Sequence, residues 1–356
     1  MTRVLLPPGL TTPCLVVDLD VLDANIAAMA ALATARGLEL RPHAKTHKCL
    51  PVAARQLAAG ARGLTVATIA EAEVFAAGGC SDLFIAYPVW ADPARGARLR
   101  ALSERVALRV GVESAEAAAA LAREVPGLEV LVEIDSGHHR TGVAPADAPA
   151  VAAAAARAGL RVLGVFTFPG HAYAIGAPGS AAADEAATLT AAATALEAAG
   201  FDVPVRSGGS TPSAAHTGTG LTELRPGVYV FGDAQQLELG TIGPDAVALV
   251  AVGTVVSRAP GRVVLDAGSK VLGADRPAWA SGFGHVLARP DARVSALSEH
   301  HATVSWPDLP VPELGALVAV IPNHVCNTVN LADELVVVRA GTIQDRWPVA
   351  ARGANT

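Results

Sequence analysis

The segment RPHAKTHKCL, residues 41–50, gathers basic and titratable side chains in a chain that is otherwise rich in Ala, Val, Leu and Gly. Five such side chains fall within eight residues: Arg41, His43, Lys45, His47 and Lys48. The segment begins at the end of the apolar run LELRPH, and catalytic side chains of parallel barrels lie at the carboxyl ends of strands. A lysine there can form a Schiff base when cations such as Arg41, His43 and Lys48 lower its pKa. The alternative is a solvated basic loop.

Around this segment, short apolar runs alternate with Ala-rich stretches that are compatible with helices. The strand candidates are LELRPH, GLTVAT, LFIAY, VALRVG, EVLVEID, RVLGVFTF, VPVRSGG and GVYVFGD. Strands separated by helices form parallel βα units, so we predict an α/β fold with a TIM-type (β/α)8 barrel. Seven or nine strands would fit the same pattern. An open doubly wound sheet is disfavoured because no GxGxxG follows the first strand.

Near Leu239 the pattern changes to β-branched runs joined by tight turns, such as RAPGR. The runs HATVSW, LVAVIP and ELVVVR continue it. We therefore predict a barrel domain over residues 20–238 and a β-rich, β-barrel-like domain over residues 1–19 and 239–356. The first helix is predicted to begin at an N-cap Asp20 and to end at Gly37.

Composition excludes several classes of protein. A net charge of −6 and a pI near 5.9 disfavour a nucleic-acid partner, because phosphate binding needs a basic face. No apolar run approaches the ~18 residues that cross a membrane, and MTRVLLPPGLTTPC is too short and proline-rich for a signal peptide. The four cysteines show no framework spacing, which predicts a reduced, cytoplasmic protein.

A glycine loop, RSGGSTPSAAH at residues 206–216, follows the seventh strand candidate. Gly208 and Gly209 allow backbone amides to approach an anion, and Ser210 and Thr211 add hydroxyl groups at the start of a short helix. Barrels often bind phosphate after strands seven and eight. The alternative is a Gly-Gly turn without a ligand.

A second polar segment, PNHVCNTVN at residues 322–330, places His324 and Cys326 two residues apart. On a strand or extended loop both side chains would face the same side, so both could bind one metal ion. An imidazole with a thiolate suits Zn²⁺. A chance His-x-Cys without a metal is the alternative.

RPHAKTHK resembles the pyridoxal-phosphate (PLP) lysine motif of the D-threonine aldolase and D-serine dehydratase family. Further segments resemble that family in its order along nearly the whole chain: TPCLVVDLDVLDANI, TVATIAEAE, DSGHHRTGV, SGGSTP, ELRPGVYVFGD, SEHH and PNHVCNTVNL. The resemblance implies an alanine racemase-like barrel (fold type III) followed by a β domain. It also implies PLP held by Lys45, and we expect a homodimer.

The resemblance implies roles for further residues. It places Arg140 near the phenolic oxygen of the cofactor and Tyr173 beside the pyridine nitrogen, although Arg140 could equally form an ion pair at the barrel rim. By analogy with the related racemases, Arg225 is a rival for the pyridine position. The same analogy implies that the amides of Gly227 and Val228 contribute to phosphate binding.

The family's metal pair falls on His324 and Cys326. Dehydratase-type chains have this His-x-Cys motif, and aldolase-type chains carry Asp in place of the cysteine. A thiolate favours Zn²⁺, whereas a carboxylate favours Mn²⁺ or Mg²⁺. The following NTVNLADE also occurs in chains close to the aldolases, so both reactions stay open.

The resemblance thus implies a PLP- and metal-dependent lyase acting on a β-hydroxy-D-amino acid. We favour a D-serine or D-threonine dehydratase, which releases a 2-oxoacid and ammonia, over a D-threonine aldolase. Lys45 is expected to remove the α-proton; Lys48 and Lys270 are the competing lysines for attachment of the cofactor. In the aldolase reading a base takes the β-hydroxyl proton, and three histidines are candidates between which the sequence does not choose: His43, His47 and His138. A racemase would need no metal and a cofactor-carrier protein no second domain, so both fit less well.

Overall fold

The computed structural model describes residues 6–307 and 310–356. Its strands are β1 Cys14–Asp18, β2 Glu39–Leu40, β3 Leu64–Val66, β4 Asp82–Pro88, β5 Ala107–Val112, β6 Glu129–Glu133, β7 Arg161–Phe166, β8 Val205–Gly208, β9 Glu223–Leu224, β10 Leu249–Ala259, β11 Arg262–Leu265, β12 Gly284–Val286, β13 Arg289–Leu297, β14 Ala302–Ser305, β15 Leu317–Pro322, β16 Glu334–Arg339 and β17 Thr342–Pro348. Its α-helices are α1 Leu19–Ala35, α2 Leu50–Ala58, α3 Ile69–Ala77, α4 Pro93–Ser103, α5 Ala115–Glu124, α6 Ala148–Ala158, α7 Pro178–Ala198, α8 Ala234–Glu238, α9 Ser269–Leu272 and α10 Val325–Leu331.

Strands β2 to β9 form a parallel sheet in the order β2-β9-β8-β7-β6-β5-β4-β3. The segment after β2 also meets β3, because the Thr65 amide donates to the Pro42 carbonyl at 2.8 Å and His43 and Thr65 form a parallel bridge. These contacts bring the two ends of the sheet together. The predicted TIM-type barrel is therefore confirmed.

The eighth barrel strand differs from its prediction. GVYVFGD was expected to be this strand, but Val228–Val230 is a 3-10 turn and the strand is Glu223–Leu224. Pro226 has no N–H group to donate to a sheet ladder, so pairing ends just before it. The apolar run after Pro226 is buried without being a strand, which hydrophobicity alone does not distinguish.

Arg41 lies in the barrel interior. Its side chain is fully buried, with Nε 2.6 Å from Glu223 Oε2 and Nη1 2.7 Å from Asp82 Oδ1. A buried guanidinium needs such partners, since an unpaired charge there would be costly. Arg41 therefore balances these two carboxylates, in contrast to the expectation that its charge lowers the pKa of Lys45.

Local capping explains where several helices begin. Thr68, Asp92 and Ser114 each accept the amide three residues ahead, at the starts of α3, α4 and α5. At α1 the predicted cap was Asp20, but the carboxylate that accepts is that of Asp18, from the amides at positions 20 and 21. The cap therefore lies two residues earlier than predicted.

The remaining strands form a nine-stranded sheet in the order β11-β14-β13-β12-β15-β10-β1-β16-β17. An additional β10–β11 pairing closes six of these strands into an antiparallel barrel. Strand β1 pairs with β10 on one side and runs parallel to β16 on the other. The predicted β-rich domain, with the N-terminal CLVVDL strand in it, is therefore confirmed.

The chain divides into two compact units. The boundaries between them along the sequence fall within helices α1 and α2 and near residues 45, 227 and 353. Our proposed limits, residues 20–238 and residues 1–19 with 239–356, keep every strand of each sheet in one domain. The predicted absence of a signal peptide concerns a segment whose first five residues lie outside those described. Among the described residues, no helix combines the length and apolarity needed to cross a membrane.

Candidate active site

Lys45 lies in a short 3-10 turn, Ala44–Thr46, that follows the first barrel strand. The imidazole of His43 supports this turn, because its Nδ1 accepts the Lys45 amide at 3.4 Å while the His43 amide donates to the Pro226 carbonyl at 2.9 Å. The side chain of Lys45 extends toward Phe168, with Nζ 5.5 Å from the ring centroid. His43 thus positions the backbone of the predicted cofactor lysine.

Phe168 is the common neighbour of several predicted site residues. It follows strand β7, and its ring is 5.2 Å from Arg140 Cζ, a cation–π distance. The same ring meets the imidazole of His138 edge to face at 5.5 Å and the Tyr173 ring at 6.2 Å. The structure therefore brings Lys45, Arg140, His138 and Tyr173 together around one aromatic ring, after strands β2, β6 and β7.

The loop that carries His138 and Arg140 is held by Asp135. Its Oδ1 accepts the amides of Gly137 at 2.9 Å and His139 at 3.0 Å, and Oδ2 lies 2.7 Å from His139 Nδ1. Burial alone would raise the pKa of Asp135, but these hydrogen bonds lower it. The ionised Asp135 therefore fixes the loop through these bonds, and Arg140 on the same loop stays exposed.

Two imidazole groups, those of His138 and His171, lie in this region. Partial burial, with the charges of Arg140 and His171, lowers the pKa of His138, so its ring is unprotonated at neutral pH and able to accept a proton. His138 packs against Gly170, where a Cβ would lie 2.5 Å from its Cγ. The ring nitrogens of His171 are buried without hydrogen-bond partners in the described residues, and Asp184 Oδ2 is 3.4 Å from Nε2 without hydrogen-bond geometry.

Two further residues of the lysine segment, His47 and Lys48, and the distant Lys270 differ from Lys45 in their surroundings. His47 is fully buried, and its Nδ1 accepts the Cys49 amide at 3.1 Å. Lys48 is also buried, with a positive φ of 48°. The distant competitor Lys270 is exposed and pairs with Glu299 at 2.6 Å. Burial of His47 makes it a weaker candidate base than His43 or His138.

Backbone amides of the glycine loop donate hydrogen bonds to side chains of the protein. The Gly209 amide donates to Glu185 Oε1 at 2.6 Å, and the Ser210 amide donates to Ser213 Oγ at 3.0 Å. Ser210 Oγ also lies 2.8 Å from Ser213 Oγ. Thr211 is buried beside this turn. The amides of Gly209 and Ser210 thus have protein acceptors, so binding of an anion by Gly208–Thr211 stays a prediction that must account for Glu185.

The backbone amides that follow strand β9 differ from those of the glycine loop. Among the described residues, the amides of Gly227 and Val228 have no protein acceptor. Arg225, which precedes them, is buried: its Nη2 donates to the Thr167 carbonyl and its guanidinium lies 5.5 Å from the rings of Phe84 and Phe166. Arg225 is therefore packed into the barrel beneath Thr167. Tyr173, in contrast, lies against the Phe168 ring, which Lys45 also faces.

The predicted metal pair lies in the antiparallel unit. His324 is the N-cap of α10 and Cys326 lies in its first turn, so the pair is at a helix start and not on the expected strand. His324 Nδ1 donates to Asp275 Oδ2 at 2.5 Å, which leaves Nε2 as the ligand nitrogen. Cys326 Sγ lies 3.2 Å from Thr46 Oγ1. Buried Asp233 accepts the Val325 amide at 3.2 Å and anchors this helix start.

Comparison with known proteins agrees with these features. Residues 17–235 match the alanine racemase N-terminal domain family, and residues 248–338 match the putative serine dehydratase domain. The D-threo-3-hydroxyaspartate dehydratase of Delftia sp. is 37% identical over 90% of this chain and 92% of its own length. The D-threonine aldolase of Arthrobacter sp. is 36% identical over 96% of this chain and 93% of its own.

The chain belongs to the D-threonine aldolase and D-serine dehydratase family. The solved D-threonine aldolase of Filomicrobium marinum superposes with a TM-score of 0.88 at 32% identity and covers 100% of both chains. Members of this family are PLP-dependent lyases of fold type III, and the chain is an enzyme of this type.

The residues present fit the PLP of this family. Lys45 and Arg140 supply two cations against one ring, which suits an anionic cofactor. The glycine loop is also close-fitting: a Cβ on Gly208 would lie 2.4 Å from Glu185 Oε1, and one on Gly209 would lie 2.1 Å from Leu224 Cδ1. Only glycine therefore allows this turn, which passes directly over the Glu185 carboxyl.

The donors at His324 and Cys326 fit a metal ion with two protein ligands. No group of three or more His, Cys, Asp or Glu in the described residues could hold a metal. Burial would lower the pKa of His324, but negative Cys326, the bond to Asp275 and the charge of Asp233 raise it to about 11. The surroundings therefore favour a positive charge, and two ligands would leave positions open for substrate oxygen.

Residue patterns did not reveal every functional candidate. Phe168, Asp275 and Glu185 have no motif of their own, since an aromatic ring or a carboxylate is common in any barrel. Asp275 is 49 residues from His324 in sequence, and Glu185 is 24 from Gly209. The sequence offered one general indication of Asp275. A histidine that binds a metal ion needs a hydrogen-bond acceptor for its second ring nitrogen.

Proposed function

We propose that this chain is a PLP- and metal-dependent dehydratase of β-hydroxy-D-amino acids, with D-serine and D-threonine as substrates. The observation that carries the proposal is the His324–Cys326 pair, whose imidazole is held by Asp275 and whose sulfur contacts Thr46. A thiolate ligand is typical of the dehydratase type and favours Zn²⁺. Thr46 is also the residue after Lys45 in the sequence.

In this proposal the residues around Phe168 handle the amino group and the α-carbon. PLP bound through Lys45 would withdraw electrons from the substrate Cα. Lys45 would then be the base that takes the proton from the substrate Cα. As the family resemblance implies, Arg140 would lie near the phenolic oxygen and Tyr173 beside the pyridine nitrogen, where a tyrosine would leave that nitrogen unprotonated. Such a site suits a reaction without a long-lived carbanion.

The metal pair handles the β-oxygen. His324 and Cys326 would hold a Zn²⁺ ion that polarises the β-hydroxyl, so that it leaves as hydroxide. One proton is lost from Cα and one hydroxide from Cβ, and water then releases ammonia and leaves the 2-oxoacid. The β-hydroxyl proton leaves with that hydroxide, so dehydration needs no base for it; in the aldolase reaction, His138, whose pKa is lowered by partial burial and by Arg140, is the base that we propose.

A D-threonine aldolase is the second candidate, favoured by the end-to-end similarity to the aldolases. In that reaction a base takes the β-hydroxyl proton and the Cα–Cβ bond breaks. The two reactions give different products from one substrate. D-Threonine yields 2-oxobutyrate and ammonia by dehydration, but glycine and acetaldehyde by aldol cleavage.

The test is to incubate the purified enzyme with PLP, Zn²⁺ and each substrate, and to identify the products. D-Serine, D-threonine and D-threo-3-hydroxyaspartate should each release ammonia and a 2-oxoacid. L-Serine and L-threonine serve as stereochemical controls and should be inert. Glycine with an aldehyde as the main products from the D-substrates would replace the dehydratase with the aldolase.

We further propose a homodimer in the cytoplasm. The four cysteines form no disulfide and lie far apart in sequence, which suits a reducing compartment. Sedimentation at several protein concentrations tests the dimer, and cell fractionation tests the location.

A further inference from the structure

Glu185 on helix α7 is a fully buried carboxyl beneath the glycine loop. Its relative exposure is 0%, and its Oε1 accepts the Gly209 amide at 2.6 Å. The second oxygen, Oε2, is buried without a hydrogen-bond partner in the part of the chain that the structure describes. An unpartnered carboxyl oxygen in such surroundings is costly when it is ionised.

The glycine loop packs closely against this carboxyl. Gly209 has a φ of +82°, and a Cβ on Gly208 would lie 2.4 Å from Oε1. The turn therefore rests directly on the carboxyl. A hydrogen bond of this kind fixes the direction of the peptide at Gly209, and with it the course of the backbone through Ser210 and Thr211.

Arg225 is the charged group that faces Glu185 from the segment after β9. Its charge is shared, because Glu223 and Glu133 also act on it and Arg41 opposes it. Burial raises the pKa of Glu185 to about 7, although the Gly209 amide and Arg225 counteract it. Glu185 is therefore partly protonated at neutral pH.

We propose that Glu185 positions the phosphate site: its neutral carboxyl holds the Gly209 turn in the form that accepts the PLP phosphate, and its ionised form opposes that phosphate. This inference rests on the proposed function, in which Gly208–Thr211 contact the phosphate. The physical reason is repulsion between a carboxylate and a phosphate across a single turn, with little water between them to screen it.

Linkage gives the sign and size of the effect. If only the protonated form accepts the phosphate, affinity falls as the pH rises through the pKa of Glu185. For a pKa of about 7, the loss between pH 6 and pH 8 is about tenfold. Pyridoxal, which lacks the phosphate, should not show this loss.

The experiment measures the dissociation constants of PLP and pyridoxal for the full chain after removal of bound cofactor, from pH 6 to pH 8. The affinity of PLP relative to pyridoxal should fall about tenfold in the wild type and stay constant or rise in Glu185→Gln. The ratio cancels effects of pH on Lys45, which are common to both ligands. Glu197→Gln, an exposed position on the same helix, is the matched control and should behave as wild type.

The outcomes separate the two proposals. A chain that binds neither ligand at Lys45 contradicts the proposed function. A chain that binds PLP, but whose relative affinity does not fall with pH or falls equally in Glu185→Gln, contradicts the role of Glu185. The wild-type ratio alone decides this if Glu185→Gln does not fold, because ionisation of the phosphate itself should strengthen PLP binding as the pH rises.

Discussion

The surroundings of Phe168 and of His324 have opposite charge. Lys45 Nζ and Arg140 Cζ lie 5.5 Å and 5.2 Å from the centre of the Phe168 ring. The His324 imidazole instead meets the Asp275 carboxylate at 2.5 Å, with the charge of buried Asp233 also acting on it. The first region suits an anion and the second a cation. The difference indicates two kinds of ligand, an anionic cofactor and a divalent metal.

The two regions also differ in how they are held. Arg140 and His138 are exposed on a loop that depends on one carboxylate, Asp135. His324 begins a helix whose first amide donates to Asp233, a carboxyl whose pKa burial raises to about 6. We expect changes near Phe168 to act mainly on turnover. Changes near His324 should act on metal content as well.

Loss of Lys45 should give the largest effect. Lys45→Ala removes the covalent attachment of PLP and the group that takes the α-proton, so turnover should fall by on the order of 10³-fold or more. Borohydride reduction followed by peptide mapping should find pyridoxyl on residue 45 in wild type only. Lys270→Ala, at a surface pair with Glu299, is the control and should retain both properties. Pyridoxyl on Lys48 or Lys270 would overturn the assignment.

Removal of the metal should abolish turnover and leave the cofactor in place. His324→Ala deletes one of two ligands, and chelation of the wild type should have the same result because the metal acts on the β-oxygen. Metal analysis and the visible spectrum of bound PLP separate the two regions. His300→Ala, exposed in the same unit, is the control. A chelated enzyme with full activity toward D-threonine would remove the metal from the mechanism.

His138 should matter for rate and not for binding of either ligand. Its lowered pKa makes it a base at neutral pH, and general base catalysis contributes roughly 10²–10⁴-fold. In aldol cleavage, where a base must take the β-hydroxyl proton, His138→Gln should therefore lower kcat by about 10²-fold or more with normal PLP and metal content. His139→Gln next to it is exposed and bonded to Asp135, and should have a small effect. Equal losses in both variants would point to the loop and not to the base.

Much of the barrel could be predicted because its strands are short apolar runs between helices, and such local patterns are present in the sequence. Strand β9 was missed since it has only two residues before Pro226, and the longer apolar run behind it is a buried turn. The position of Arg41 was also beyond local patterns. Its partners Asp82 and Glu223 are 41 and 182 residues away.

The site residues also divide into those that the sequence predicted and those that it did not. Lys45 and the His324–Cys326 pair stand in motifs, so their residue types were readable from the sequence. The supporting carboxyls are not in motifs, and they determine how each predicted residue is presented. Asp275 holds His324, and Glu185 takes the Gly209 amide that was expected to face an anion. Only folding brings these groups together.

Asp275 offers a smaller and more selective test of the metal region. Asp275→Asn keeps the size of the side chain but removes the charge that supports His324, so metal affinity should fall by roughly 10–100-fold. Competition with a chelator of known affinity measures this. Asp333→Asn, an exposed carboxylate paired with Arg352, is the control. Unchanged metal affinity in Asp275→Asn would mean that His324 does not depend on this carboxylate.

The smallest expected effect concerns Cys326, where the two candidate reactions diverge. Cys326→Asp supplies a harder ligand at the same helix start, so preference should shift from Zn²⁺ toward Mn²⁺. If the ligand type helps set the reaction, dehydration of D-threonine should fall more than aldol cleavage, by a few-fold in their ratio. The contrasting possibility is that Cys326 only fills space beside Thr46. In that case Cys326→Ala would keep both metal content and activity, and metal analysis of that variant distinguishes the two.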